Sequence, residues 1–379
     1  MPDSRLCGEK VTKDGTGKVL SDLAYLLGCA VRSEVPENRD YDFDALYGAA
    51  SKHLVAAAAG MALESAGIEN ERFRKAVVSA IRKAAIFESD FQNVSRALED
   101  AGIWYMPLKG AVLKDWYPKY GMREMSDVDI LFDAERADDV RDIMVSLGFE
   151  PKGFGKGAHD VYHKLPVSNF EMHRLLFSPA NKKEIYNYYL GVKERLVGGG
   201  LRLSFTPDDF YVFILAHEYK HYSGGGTGLR SLLDIYICIK KLDLDMEYIS
   251  AETKKLGIAD LERKGRELAI ALFDGGELTD EQMEEADYFF TSGVYGTVDR
   301  YVSNRVERYG GGLKGRILYV IRRGFPSMDK IKASLPWFYR HKIFIPLVPF
   351  YVLYLALIKR RRRFTAEMKA VFSRKSKEK

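Results

Sequence analysis

The stretch SDVDILF at residues 126–132 decides the fold of this 379-residue chain. In a β-strand successive side chains point to opposite faces, so its alternate apolar residues, beginning with Val128, share one face. Asp127 and Asp129 then project side by side from the other face. Two carboxylates this close repel each other unless a cation neutralises them. The stretch therefore predicts a strand with one apolar face on a core and one acidic face that attracts a cation.

A long helix, a strand and a tight turn are predicted upstream of this stretch. Apolar residues recur at steps of three and four, which gives one stripe along a helix of about seven turns that Gly102 ends. A short apolar run at 103–106 then predicts a strand, and Lys109-Gly110 forms a turn before the next helix. The helical stripe consists of Phe73, Val77, Ile81, Ala84, Phe87, Phe91, Val94 and Leu98.

A helix and a hairpin are predicted downstream. Apolar spacing favours a helix from Ala137 that stops at Gly148, and a glycine-rich loop is expected over 151–158. Residues 160–164 and 169–174 are typical of the two strands of a hairpin. The region around the acidic stretch therefore combines short strands with helices.

Three carboxylates form the candidate catalytic set. Glu171 and His173 share one face of the second hairpin strand. Asp127 and Asp129, with Glu171 on a neighbouring strand, suit two-metal phosphoryl transfer, because Mg²⁺ prefers carboxylate and phosphate oxygens. The alternative is that alternating acids mark an ordinary half-solvated strand, with His173 a plain polar residue of the sheet face.

The Lys109-Gly110 turn points to a bound phosphate. Glycine lets the backbone approach a phosphate closely, and the amides at the start of the following helix point toward it. Lysine adds a positive charge. Arg123, four residues before Asp127, is a further candidate contact for a triphosphate, and an ordinary salt bridge is the alternative reading of it.

Six short segments carry a resemblance to a known family. They are Leu108-Lys109-Gly110-Ala111, Tyr117, Arg123-x-x-x-Asp127-Val128-Asp129-Ile130-Leu131, Glu171-x-His173, His217-x-x-Lys220-His221 and Leu229-Arg230-x-x-Leu233-Asp234-Ile235. Together they resemble the uncharacterised bacterial nucleotidyltransferases of the DNA polymerase beta-like superfamily. We expect the resemblance to extend over about 15 to 360, because the helical segments are similar to the region that follows the catalytic domain in that family.

The resemblance implies an α+β fold, with a small mixed or antiparallel sheet flanked by helices and placed between helical amino- and carboxyl-terminal regions. It implies that Asp127, Asp129 and Glu171 hold Mg²⁺ or Mn²⁺ and act in catalysis. The superfamily commonly has Gly-Ser at the turn, where this chain has Gly-Ala, and more usually Asp as the third acid. The residues expected to contact a nucleoside triphosphate are Lys109, Gly110, Ala111, Arg123 and His173.

A second motif points to a different chemistry. His217-Glu218-Tyr219-Lys220-His221 matches the H-E-x-x-H pattern of zinc hydrolases. The third ligand of one such class would fall at Thr227, which is a poor zinc ligand, and Lys220 places a cation between the imidazoles. The histidines also extend an apolar stripe, so packing against neighbouring helices is the simpler interpretation. On the next helix, Arg230 and Asp234 have the spacing of a local ion pair.

The rest of the chain is predicted to be helical. Helices are expected over 207–222, 228–242 and 259–289, with breaks at Gly224–Gly226 and near Gly275-Gly276, and Thr206-Pro207 is a strong start signal for the first. We divide the chain by composition and by the positions of these elements. The units are a helical region at 1–100, a catalytic core at 101–205, a helical domain at 206–300 and a basic helical region at 301–379 with a disordered tail.

The carboxyl-terminal region is strongly basic, because residues 301–379 hold 20 Lys+Arg against 4 Asp+Glu. It contains the uncharged 16-residue run Ile343–Ile358, which is shorter than the roughly 20 residues of a membrane-spanning helix. We predict that this run forms a buried helix pair. A helix lying on an acidic membrane surface is the alternative.

The three cysteines, Cys7, Cys29 and Cys238, form neither a disulfide framework nor a paired metal motif, and the first residues lack the apolar core of a secretory signal. This predicts a cytoplasmic protein, with peripheral membrane contact as an extension. The predicted function is divalent-metal-dependent transfer of a nucleoside monophosphate from a triphosphate to a hydroxyl or amine of a protein, sugar, small molecule or RNA. A non-catalytic anion- or membrane-binding adaptor with a degenerate fold is the alternative, and a zinc metallohydrolase is the third candidate.

Overall fold

The structure, a computed structural model, describes residues 16–155, 157–359 and 361–372. Within these residues the chain has the predicted α+β architecture, a mixed sheet flanked by helices. Two predictions from the sequence concern residues that the structure does not describe. Cys7 and the predicted disordered tail at 374–379 lie outside the described part of the chain.

Four helices precede the sheet, and the predicted long helix is the fourth. Asn70 caps it by accepting hydrogen bonds from the backbone N–H groups of Arg72 and Phe73. Most of the predicted stripe is buried, but Ile81 is 39% exposed, because this turn of the helix faces open solvent and not the core. The helices are α1 (Thr16–Arg32), α2 (Phe43–Lys52), α3 (Ala56–Ser65) and α4 (Glu71–Asp100).

Five strands form one sheet, in the order β1-β2-β5-β4-β3. The strands are β1 (Tyr105–Pro107), β2 (Val128–Phe132), β3 (Glu150–Gly153), β4 (His159–Lys164) and β5 (Ser168–His173), and two helices, α5 (Gly110–Leu113) and α6 (Ala137–Ser146), lie between them. The predicted hairpin of β4 and β5 is confirmed. The loop predicted over 151–158 is wrong at its start, because β3 pairs with β4 as an exposed edge strand that the absence of apolar alternation concealed.

The register between β2 and β5 positions the acids. These two strands are parallel, whereas the other pairs in the sheet are antiparallel. Asp129 lies directly opposite Glu171 in this register. The apolar face, which includes Val128 and Phe170, packs in one buried cluster with side chains of α4 and α6. The acidic face therefore points away from this core, as the alternation in the sequence predicts.

A second group of helices follows the sheet. Thr206 caps α8 through its side chain, with Pro207 at the first helical position, as predicted. The break predicted near Gly275-Gly276 within 259–289 is confirmed, since α11 ends at Gly275, whose φ of +78° is a conformation that favours glycine. Helix α10, however, was not predicted from the sequence. The helices are α7 (Lys183–Tyr188), α8 (Pro207–Tyr222), α9 (Leu229–Lys241), α10 (Met246–Leu256), α11 (Ala259–Asp274) and α12 (Asp280–Ser292).

The basic region forms a further set of helices. They are α13 (Val298–Arg308), α14 (Gly312–Gly324), α15 (Met328–Ser334), α16 (Pro336–Arg340), α17 (Val348–Tyr354) and α18 (Arg361–Phe372), with a 3-10 helix at Lys342–Leu347 and a π-helical turn at Leu355–Lys359 around α17. The buried helix pair predicted for Ile343–Ile358 is wrong. Only 11% of the stretch Lys342–Lys359 is buried, because few neighbouring elements cover it.

His53 links the amino-terminal helices to the second helical group. It is fully buried at the end of α2, where its Nε2 donates to the carbonyl of Phe290 (3.0 Å) and its Nδ1 accepts from the backbone N–H of Leu229 (3.2 Å). This pair of bonds requires a neutral imidazole with the proton on Nε2. Burial lowers the pKa of His53 to about 4.

We predict that His53 makes the fold sensitive to acid. The unfolded chain protonates this residue below about pH 6.5 and the folded chain only below about pH 4, so the unfolded state binds more protons between these values. The free energy of unfolding should fall by about 3 kcal/mol as the pH falls through this window. Urea unfolding at several pH values should show a flatter dependence for His53→Gln than for the native chain. The exposed His163→Gln variant is the control, and parallel profiles for all three proteins would contradict the prediction.

Candidate active site

The two aspartates of the acidic stretch line the same cavity as Lys109, which precedes them in the sequence. Asp127 precedes β2, and Asp129 lies within β2 with 3% of its surface exposed. One oxygen of Asp129, Oδ1, accepts from Lys109 Nζ (2.8 Å) and lies 2.7 Å from His173 Nε2. Two positively polarised groups thus converge on one carboxylate oxygen.

The pKa values of the two aspartates move in opposite directions. Burial and, after it, the charge of Asp129 together raise the pKa of Asp127 to about 6. Burial also raises the pKa of Asp129, but Lys109 and the bond to His173 outweigh it and hold that pKa well below its usual range. Asp129 is therefore an anion with its charge balanced, whereas Asp127 lies in a position that favours either a proton or a cation.

Glu171 completes the predicted acidic set and brings two imidazoles with it. Its Oε2 lies 3.4 Å from His159 Nε2 and 3.7 Å from His173 Nε2. The antiparallel register places His159 directly opposite His173. These separations suit a single ion bound at about 2.0 to 2.2 Å from each nitrogen and oxygen, since tetrahedral ligands at that distance lie about 3.4 Å apart. Within the described residues, His159, Glu171 and His173 are the group of three that could hold a metal ion.

The Lys109-Gly110 turn differs from its prediction in its backbone conformation and in the length of the helix that follows it. Lys109 has φ +43°, an uncommon conformation for a side chain larger than glycine, and such strain often occurs at functional sites. The helix that follows, α5, has only four residues, so it adds little dipole. Gly110 is required because a Cβ there would collide with Nη1 of Arg123. Ala111 is buried in the cluster beneath the sheet.

Arg123 forms the salt bridge that was the alternative interpretation of it. Its Nε and Nη2 donate to the two carboxylate oxygens of Asp234 at 2.7 and 2.8 Å, and Tyr117 donates to the same carboxylate at 2.7 Å. Arg230 instead donates to the carbonyl of Glu124, so the predicted local pair of Arg230 with Asp234 is wrong. Arg123, which is distant in sequence and donates to both carboxylate oxygens of Asp234, takes the place of Arg230, the neighbour of Asp234 on the helix.

Helix α8 forms the wall that faces the acids. Its residues His217, Lys220 and His221 line a cavity of about 300 Å³ together with Asp129 and Glu171. Burial and the charge of Lys109 lower the pKa of Lys220. The sequence contained a signal for this set, because the three residues share one helix face, but we interpreted that face as packing surface.

The zinc-hydrolase motif shares this wall. His217 Nε2 and His221 Nε2 lie 3.4 Å apart, and burial lowers the pKa of both imidazoles. Glu218 is buried beside Thr227 and Ser231, and this burial raises its pKa to about 7. A third metal-binding side chain does not join these two histidines within the described part of the chain.

The cavity therefore combines an anionic floor with a cationic rim. Asp127, Asp129 and Glu171 come from the sheet, whereas Lys220 and Arg230 come from α8 and α9. Glu171 belongs to the group that could hold a metal ion, whereas Asp127 and Asp129 do not join that group within the described residues. Lys220 and Arg230 attract anions. His159, Lys220 and Arg230 are lining residues that the sequence analysis did not assign to the site.

We predict that the Asp234 carboxylate is a major structural determinant. Asp234→Asn leaves the buried Arg123 guanidinium without its charge partner, and removal of one member of such a pair costs about 3 to 5 kcal/mol. Denaturant unfolding measures this loss. Asp138→Asn, which removes an exposed carboxylate paired with Arg141, should cost less than about 1 kcal/mol. Equal losses in the two variants would disprove the role of the buried pair.

The comparison with protein families agrees with this geometry. A family model described as an uncharacterised nucleotidyltransferase matches residues 39–274, a narrower range than we expected. The matched range contains the whole sheet, the acids and the wall formed by α8 and α9, and it leaves the basic region outside. Neither the search of curated proteins nor that of solved structures found a match to this chain. Because the family model covers more than half of the chain, this protein belongs to the uncharacterised nucleotidyltransferase family.

Proposed function

We propose that this protein transfers a nucleoside monophosphate from a nucleoside triphosphate to an acceptor hydroxyl or amine, with release of pyrophosphate. The observation that carries the proposal is the register of β2 and β5, which places Asp129 opposite Glu171 behind the Lys109 turn. Membership of the polymerase beta-like superfamily and a cytoplasmic location are part of the same proposal.

We infer that the acidic residues bind a divalent metal. Asp127 and Glu171 offer carboxylate oxygens to the cavity, and Asp129 has a second oxygen besides the one that Lys109 contacts. Burial raises the pKa of Asp127, which indicates an uncompensated negative charge that a cation would neutralise. A bound Mg²⁺ or Mn²⁺ would polarise the phosphate oxygens and lower the charge repulsion that opposes attack.

Lysine and arginine side chains supply the contacts for the phosphates. Lys109, Lys220 and Arg230 all line the cavity, and after burial the positive charge of Lys109 is the next cause that lowers the pKa of Lys220. A triphosphate held between them would have its α-phosphorus near the acids. His173, bound to Asp129, would keep that carboxylate oriented.

The acceptor has room in an adjoining cavity of about 660 Å³. The two cavities share Arg123, Ser126 and Tyr295, and the Ser126 and Tyr295 hydroxyls lie 2.8 Å apart where the cavities meet. Lys83 of α4 also lines the larger cavity, and burial lowers its pKa. We place the acceptor in this cavity, on the opposite side of Asp127 from the triphosphate rim.

The reaction is a substitution at the α-phosphorus. The acceptor oxygen or nitrogen forms a bond to the α-phosphorus while the bond from that phosphorus to the bridging oxygen breaks, and pyrophosphate leaves with the electron pair. The acceptor loses one proton. We assign that proton to water in the acceptor cavity, because Asp127 binds the cation in this proposal and a cation-bound carboxylate is a poor base.

We predict that Asp127→Asn and Asp129→Asn each lower transfer by about a thousandfold or more, because each removes charge that the transition state requires. Transfer of label from α-labelled ATP, GTP, CTP and UTP to protein, sugar and RNA pools, together with pyrophosphate release, measures this loss. Thermal unfolding with each nucleotide and Mg²⁺ identifies the donor, since saturation at 100 times the dissociation constant adds about 2.7 kcal/mol.

Asp138→Asn on the surface of α6 is the matched control for loss of one negative charge and should retain full activity. Full activity in the Asp127 and Asp129 variants would overturn the proposed mechanism. A metal-dependent shift for the native chain without turnover would favour the adaptor function. Stoichiometric zinc that disappears in His217→Ala would favour the zinc hydrolase.

A second prediction concerns metal preference. Imidazole nitrogen favours Mn²⁺, Co²⁺ and Zn²⁺ over Mg²⁺, so His159 should bias the site toward these three ions, whereas His173 Nε2 is engaged with Asp129. His159→Ala should lower Co²⁺ affinity, followed by visible absorbance and by calorimetry, by about tenfold or more and change Mg²⁺ affinity little.

His163→Ala is the matched control for this experiment, because His163 lies on the same strand and is exposed. It should leave the affinity for both metals unchanged. Equal Co²⁺ affinity in the native chain and in His159→Ala would exclude the imidazole from the metal site.

A further inference from the structure

The carboxyl-terminal helices expose an unusual number of large apolar side chains. In the stretch Lys342–Lys359, only a few residues such as Val348 and Ala356 are buried. Ile343 and Phe350 have 83% and 71% of their surfaces exposed. Monomeric soluble proteins rarely expose this much contiguous apolar surface, and such patches mark contact sites. The exposed members of the stretch are Ile343, Phe344, Leu347, Phe350, Tyr351, Leu353, Tyr354, Leu357 and Ile358.

A neighbouring helix adds a second apolar face. Leu313, Ile317 and Ile321 of α14 lie four residues apart and are all exposed, so they form one stripe along the helix. Helix α14 contacts α17. Phe325, which follows α14, is 64% exposed. The exposed apolar surface therefore involves two packed helices and not one isolated segment.

Basic residues flank this apolar surface. Lys342 begins the stretch, Lys359 ends it, and Arg361 and Arg362 follow it, all of them exposed. Residues 301–379 carry 20 Lys+Arg against 4 Asp+Glu. An apolar face bordered by exposed arginines and lysines matches the two layers of a membrane leaflet, acyl chains beside anionic headgroups.

The same charges argue against two other partners. A second copy of the chain would bring two strongly basic regions together, and their repulsion opposes self-association. Nucleic acid would satisfy the cations, but the exposed aliphatic residues such as Leu353 and Ile358 would gain nothing from a phosphate backbone. Aromatic residues such as Trp337 and Tyr354, both exposed, are side chains that favour the membrane interface.

The geometry favours a segment that lies on the membrane. By length and composition, Lys342–Lys359 is the one stretch among the described residues that could cross a bilayer. However, it is broken into a 3-10 helix that contains Pro346, the seven-residue α17 and a π-helical turn. A spanning helix in lipid needs an unbroken ladder of backbone hydrogen bonds.

The segments on both sides of the stretch belong to one helical cluster. Val371 of α18 packs with Val302 of α13. Glu367 of α18 accepts from Arg323 of α14 (2.9 Å). Because α14 precedes the stretch and α18 follows it, both of its ends are held on the same side of any membrane that it contacts.

We propose that Lys342–Lys359 docks this protein on a membrane leaflet rich in acidic phospholipid, with its apolar side chains among the acyl chains and the flanking cations against the headgroups. The nucleotidyl-transfer site, built from residues 109–234, would then act close to a membrane surface. The proposal is independent of the transfer reaction, because its residues lie outside that site.

Cosedimentation of the full chain with sucrose-loaded vesicles tests the proposal. We expect binding to vesicles of phosphatidylcholine with 30% phosphatidylglycerol, at least about tenfold weaker binding to phosphatidylcholine alone, and a marked loss in high salt. Phe350→Glu should lower the partition coefficient about tenfold or more, and Arg361→Gln/Arg362→Gln should remove most of the preference for acidic vesicles.

Val145→Glu is the matched control, because it places the same charge on an exposed apolar residue of α6 and should not change vesicle binding. Circular dichroism verifies that each variant is folded. Vesicle binding should persist in Asp127→Asn, and nucleotidyl transfer should persist in Phe350→Glu. A failure of the docking proposal can therefore be distinguished from a failure of the proposed transfer reaction.

Three outcomes would overturn the docking proposal. The first is equal affinity for acidic and neutral vesicles, or no affinity for either. The second is a dimer in the absence of vesicles that Phe350→Glu dissociates, which would assign the surface to a second copy. The third is resistance of vesicle-bound protein to extraction at alkaline pH, which would indicate a spanning segment.

Discussion

The repulsion between Asp127 and Asp129 is the constraint on which the rest of the site depends. Asp127 lies directly before β2 and Asp129 within it, close enough for the charge of Asp129 to raise the pKa of Asp127, and burial strengthens the repulsion by removing solvent screening. Lys109 and His173 both contact the same oxygen of Asp129, so the charge of that residue is balanced. Asp127 lacks such a pair of contacts, and burial raises its pKa to about 6. The strand thus holds an electrostatic imbalance that a cation can relieve.

The helices after the sheet complete the site and do not merely follow it. Asp234 of α9 binds Arg123 through both carboxylate oxygens, which joins that helix to the segment before β2. The same arrangement brings Lys220 of α8 over the acids. A division of the chain near 205 stays a prediction, but the cavity takes residues from both sides of that position. Folding of the helical part and formation of the substrate cavity are therefore coupled through one buried ion pair.

Local patterns predicted the parts of the structure that local physics determines. The alternation around Val128 and the capping signal at Thr206 depend on strand geometry and on backbone hydrogen bonds within a few residues, and both were confirmed. The partner of Asp234, the opposition of His159 to His173 and the exposure of Ile343–Ile358 depend on which distant elements meet. The periodicity of apolar residues along the chain does not encode such contacts between distant elements. Strand alternation and the hairpin were enough to predict that the three acids lie at one cavity, and their role in catalysis stays a prediction.

The departures from the superfamily pattern at the turn and at the third acid follow from packing. Gly110 leaves space that Arg123 occupies, and Ala111 belongs to the same buried cluster as Val128, where a serine hydroxyl would lose its hydration without a partner. The longer side chain of Glu171 reaches the imidazole of His159, which an aspartate would approach less closely. Phosphate recognition at this turn would thus pass from a hydroxyl to the cations around it, and metal recognition would gain nitrogen ligands. Both changes act in the same direction, because each assigns to a nitrogen-bearing side chain a contact that the superfamily pattern assigns to oxygen.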